Sequence, residues 1–87
     1  MKTARALVAW NLRRVRVGKG LSQERLAFDA RVDRAYVGSV ERGEQNPTID
    51  VLDRLSKTLK VHIAEFFVEP AKGAQPPQPL PGGRRRR

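Results

Sequence analysis

Apolar residues recur along the first 68 positions with the period of a helix, and nowhere with the alternation of a half-buried strand. Residues 3–17 are good helix formers. Val8, Leu12 and Val15 stand at i, i+4 and i+7, and a weaker stripe of Leu7, Trp10 and Val17 lies on a neighbouring face. Gly18 and Gly20 follow as stop signals. Ser22 suits an N-cap, with Glu24 in the first turn where the helix dipole favours a carboxylate. That second helix should run to about Ala30 and bury Leu26 and Ala27. A third, with Asp33 as N-cap, should end at Gly43. After the loop 44–47, Thr48 caps a fourth whose Ile49, Val51, Leu52, Leu55 and Leu59 form a broad apolar face. A last short helix carries Ile63, Phe66 and Phe67. The pattern predicts an all-α domain of five short helices over residues 1–68.

The third helix is the informative one. At 100° per residue, Arg34, Ala35, Gly38, Ser39 and Arg42 fall within about 140° of one another. Val37 and Val40 fall opposite, with Tyr36 and Glu41 at the edges, and this inward side suits packing against Leu26 and the fourth helix. The outward side is small and cationic, so the helix axis can approach a surface closely. A solvated face ordinarily carries Glu, Lys and Gln, and a glycine in a helix interior costs roughly 0.5–1 kcal/mol. The layout fits a helix lying in a DNA groove, with Arg34 as a fork for guanine O6 and N7 and Ser39 able to meet a base edge or a phosphate.

Past Val68 the character changes. Residues 69–87, EPAKGAQPPQPLPGGRRRR, hold five of the chain's six prolines and little to bury, so they are expected to form a disordered tail. Residues 84–87 are all arginine, either a solvated end or an electrostatic arm that tracks phosphates. PPQPLP is read as a spacer in preference to a polyproline ligand.

Charge narrows the partners. Lys plus Arg number 18 against 9 Asp plus Glu, a net +9, which calls for a polyanion, either nucleic acid or an anionic membrane. The excess is not confined to the tail, since residues 1–68 carry +5 and residues 69–87 carry +4. With no cysteine there is no disulfide, thiolate metal site or thiol nucleophile, and His62 has no cluster of carboxylates to make a metal site. No cofactor is expected. Paired carboxylates, a nucleophile with its base and a phosphate-cradling loop are all lacking, which argues against an enzyme. No apolar run approaches a membrane span. The N-terminus loosely imitates a signal peptide, but Trp10 ends its apolar stretch and arginines follow soon after. A mitochondrial presequence is the other reading, opposed by the need for helix 1 in the core. The expected location is the cytoplasm.

Four short motifs carry a resemblance: GLSQERLA from Gly20 to Ala27, the pair Tyr36 and Val37, the close Val40, Glu41, Arg42, Gly43, and the entry Pro47, Thr48. At this joint spacing residues 8–68 resemble the helix-turn-helix of the phage Cro/CI repressor class, the XRE family. The resemblance implies a compact, lambda-repressor-like five-helix fold with helix 3 in the DNA major groove. It implies base contacts from Arg34, Ala35 and Ser39. Phosphate contacts would come from Gln23, which also braces helix 3, and from Tyr36, Arg42, Gln45 and Asn46. It further implies a structural ion pair between Arg16 and Glu41, tying helix 1 to the end of helix 3.

Three positions depart from the family pattern. Arg31 replaces a glycine at a turn where the backbone is commonly left-handed, at a cost of about 1 kcal/mol. Phe28 replaces a polar residue, and is either covered by Trp10 or the tail or left as an exposed patch. Gly38 stands where serine is common. The function so implied is that of a transcriptional regulator, a repressor by operator occupancy, working as a homodimer on palindromic double-stranded DNA. Ile63, Phe66, Phe67 and the Leu7/Trp10 stripe are the interface candidates, with core burial the competing fate of the phenylalanines. An antitoxin that holds a toxin through its tail while repressing its own operon is the alternative. A membrane-surface role for helix 1 and the arginine run is disfavoured.

Overall fold

Each helix is preceded by a short polar residue, and most of these accept a hydrogen bond from an otherwise unpaired amide. In the computed structural model, which describes residues 3–77, Thr3 accepts from Ala6 at the start of α1 (Ala4–Gly18). Ser22 accepts from Arg25 at the start of α2 (Gln23–Ala30), and Thr48 from Val51 at the start of α4 (Ile49–Leu59). Asp33 stands in the same place before α3 (Arg34–Glu41), but its side chain makes no capping bond. The fifth element is a 3-10 helix, Ile63–Phe67, opened by His62, whose Nδ1 accepts from the Ala64 amide. No strand occurs among the described residues.

The four α-helices end alike. One or two residues past each, the chain turns left-handed, at Gly20, Arg31, Gly43 and Lys60 with φ of 75°, 62°, 76° and 60°. The next amide then bonds back to a carbonyl five residues earlier: Leu21 to Arg16, Val32 to Ala27, Glu44 to Ser39 and Val61 to Ser56, at 2.9–3.1 Å. Leu21, Val32 and Val61, brought round by these turns, pack on the core. Gly18, expected to help stop α1, is instead its last residue, and Gly20 makes the turn. Arg31 is left-handed as the family comparison implies, and like Lys60 it accepts a cost of about 1 kcal/mol relative to glycine. The retrieved carbonyl bond and the partly buried valine that follows offset that cost.

One core unites these elements. Val8, Leu12 and Val15 meet Leu26, Ala27 and Ala30, Val37 and Val40, Leu52, Leu55 and Leu59, and Phe66. Ile49 departs from the expected face of α4: as the first residue of the helix it overhangs the core and is 68% exposed. Phe66 is fully buried, which removes it from the candidate contact surface, whereas Phe67 and Val68 stay partly exposed. Phe28 is covered by neither Trp10 nor residues 69–77, being 77% exposed.

Asn11, buried between Val8 and Val15 on the apolar stripe, fastens residues 66–68 to α1. Its Nδ2 donates to the carbonyls of Leu7, Phe66 and Val68 at 3.0, 3.1 and 2.7 Å. Arg14 extends the clamp, donating to Asn11 Oδ1 and to the Glu65 carboxylate and carbonyl. Residues 69–77 form no helix or strand, as their prolines dictate, yet Pro70 and Pro77 are half-buried across a cavity from Trp10. The four terminal arginines, residues 84–87, lie outside the described residues.

Candidate nucleic-acid interface

Val37 and Val40 enter the core, and that choice fixes which side of α3 is left outward. Arg34 and Ala35, in the first turn, are exposed, with no neighbouring element over them. Ala35 carries only a methyl group, so a surface can come close to the helix here. Tyr36 is half-buried at the edge, its ring against the core.

Gly38 and Ser39 depart from expectation. Both are buried, Ser39 with 7% of its surface exposed, and its Oγ donates to the Tyr36 carbonyl at 2.9 Å. The helical wheel puts Ser39 at the margin of the outward arc beside Tyr36, where its short side chain turns back to its own helix. The expected exposure of Ser39 is therefore corrected. Gly38 is covered by the side chains of Arg42 and Gln23.

The far end of α3 is pinned from beneath. Arg16 grips Glu41 with two parallel bonds, Nε to Oε2 at 2.6 Å and Nη2 to Oε1 at 3.0 Å. Both side chains are almost wholly buried. The remaining Arg16 nitrogen, Nη1, donates to the Leu21 carbonyl at 2.7 Å, so the guanidinium also holds the turn that leads into α2. Gln23 Nε2 adds a bond to Glu41 Oε1 at 3.1 Å, which shows the bracing contact. Three segments, α1, the head of α2 and the tail of α3, thus close on one carboxylate.

Around this anchor lie exposed polar groups. Arg42, just past α3, is paired through Nε with Glu44 at 3.1 Å, and the hydrogen bond and charge of Glu44 hold its guanidinium above the ordinary arginine value. It stays a cation throughout any working range. Gln45 and Asn46 are exposed in the loop that follows. Arg31 and Arg54 are also exposed, with Arg54 Nη1 turned toward the Arg31 carbonyl at 3.5 Å, too long for a strong bond. Arg54 has no motif to single it out in the sequence. Asn11 did have a signal, a lone amide within an apolar helical stripe.

Known proteins resemble this arrangement. The family profile HTH_3, described as helix-turn-helix, matches residues 12–66. A hypothetical transcription factor of Neisseria meningitidis is 38% identical over 66 residues, covering 76% of this chain and 62% of its own length, so the chain spans under two-thirds of that relative. The control protein C.BamHI of Bacillus amyloliquefaciens is 38% identical over 64 residues, covering 72% of this chain and 79% of that protein. Among solved structures, the restriction-modification controller protein C.Esp1396I, a tetramer in complex with its natural 35 base-pair operator, superposes with a TM-score of 0.69 at 33% identity. That likeness covers 77% of this chain and 88% of that one.

Proposed function

We propose, from the premise that the chain belongs to the HTH_3 helix-turn-helix family of Cro/CI type, that it binds double-stranded DNA sequence-specifically and represses transcription by occupying an operator. The carrying observation is the contrast between the two ends of α3. Its C-terminal end is locked by the buried Arg16–Glu41–Gln23 network, while Arg34 and Ala35 at its start stand clear in solvent. A reading head needs both: a rigid mount and an unobstructed tip.

In the proposed complex α3 lies in the major groove. Arg34 offers two parallel donors to guanine O6 and N7, and Ala35 a methyl for close apolar contact with a thymine. Gln23, Tyr36, Arg42, Gln45 and Asn46 meet the sugar-phosphate backbone, which sets register without reading sequence. One such unit touches few base pairs, so two copies on a palindromic site are expected. The controller proteins among the relatives, one of them held on its operator, support this reading.

Selection of duplexes from a random pool by the full chain tests it. The expected result is a palindromic motif with half-sites centred about 10 base pairs apart, or a multiple of that. Affinity should fall with salt, with a log-log slope of about 0.9 per phosphate contacted. A pool without enrichment contradicts sequence-specific binding, and a salt-independent affinity contradicts the phosphate contacts.

A further inference from the structure

We infer that Gly38 is a positioning residue, whose missing side chain seats the Arg42 guanidinium and the Gln23 amide together over α3 as one phosphate-gripping unit. The inference rests on the DNA-binding reading above and adds a residue which that reading does not use. A Cβ built at Gly38 would stand 3.2 Å from Arg42 Nη1, 3.6 Å from Gln23 Oε1 and 3.9 Å from Gln23 Nε2. The first distance is tighter than ordinary van der Waals contact, so a Cβ at this position requires the Arg42 guanidinium to give by a few tenths of an ångström, while the Gln23 amide already stands at ordinary contact distance. The backbone does not demand glycine here. Gly38 lies inside α3 and is not among the residues with positive φ. Helix propensity opposes it. What explains it is what lies on top.

Two side chains converge there, each already steadied from its other side. Gln23 is held by the Nε2 bond to Glu41, which orients its amide and leaves a second amide hydrogen for another acceptor. Arg42 is held through Nε by Glu44, which leaves Nη1 lying over the glycine. One side chain from the head of α2 and one from just beyond α3 therefore both lie over Gly38. A phosphate oxygen settling between them takes a charge-assisted bond from Arg42 and a neutral one from Gln23. Gln23 is ordered beforehand by its bond to the buried Glu41, so its side chain loses little freedom on binding.

Binding by the full chain is measured on the duplex recovered from the random pool and on a scrambled duplex of equal length. Gly38→Ala should weaken both, by up to about tenfold, the worth of one hydrogen bond to a charged group. The log-log salt slope should become shallower by about one unit, as for one lost phosphate. The melting temperature should hold or rise, because alanine is the better helix former. Gly18→Ala, where an added Cβ meets nothing within 4 Å, should retain wild-type affinity. In an Arg42→Ala background, Gly38→Ala should cost nothing more. The inference is overturned if the full cost persists beside Arg42→Ala, since the methyl would then act on the DNA or the fold directly. An unchanged salt slope also overturns it. If the wild type itself binds neither duplex, the DNA-binding reading falls, and this inference with it, so the two failures are distinguishable.

Discussion

Glu41 receives three hydrogen bonds, two from Arg16 and one from Gln23, with almost no water in reach. Removing its carboxylate strands a buried guanidinium. Glu41→Ala should therefore cost about 3–5 kcal/mol in urea unfolding, with Glu41→Gln milder because the amide oxygen still accepts. A loss under about 1 kcal/mol would show that the pair does not mount α3. The exposed Arg42–Glu44 pair looks alike on paper but is open to solvent on both sides, so it adds little to stability. At this scale the sequence was legible where a motif named both partners, as with Arg16 and Glu41. It was not legible where burial depends on third parties: Ser39 looked outward by angle alone, and two of the three carbonyl partners of Asn11 come within reach only once residues 66–68 lie across α1.

Helix starts and stops show the same division at the level of elements. Ser22 and Thr48 both accept the amide bond that their sequence position suggests, whereas Asp33 holds the position without making the bond. Ser22→Ala and Thr48→Ala should each cost about 1 kcal/mol, and Asp33→Ala clearly less, by thermal or urea unfolding. An Asp33→Ala loss equal to the other two would mean that the cap forms in solution. The apolar period placed all the helices because each had to bury a stripe, and the small caps marked their starts. The left-handed turns at Arg31 and Lys60 were harder to see. Neither residue favours that conformation on its own, and the turn is stabilised by a returning amide bond and a valine that packs only in the finished fold. Exposure of Ile49 is hidden in the sequence for a related reason: the wheel gives direction around α4 but not how far the neighbouring helices extend along it.

Over the whole molecule, a net charge of +9 suggests a polyanionic partner but does not distinguish a reader of sequence from a general phosphate binder. The fold sharpens the choice by putting a rigid anchor at one end of α3 and two free side chains at the other. The exposed large apolar side chains among the described residues, Phe28, Ile49, Phe67 and Val68, lie outside α3, which leaves its tip for a polar ligand. No helix among the described residues is long and apolar enough to cross a membrane. The central claim is that Arg34 reads bases, and it is tested most directly by repeating the random-pool selection with Arg34→Ala beside the wild type. Loss of a bidentate contact should relax the preference for guanine at one position of each half-site and cost about 1–3 kcal/mol on the wild-type motif, leaving the other positions intact. An unchanged motif with evenly weaker binding would place Arg34 on a phosphate and contradict the account.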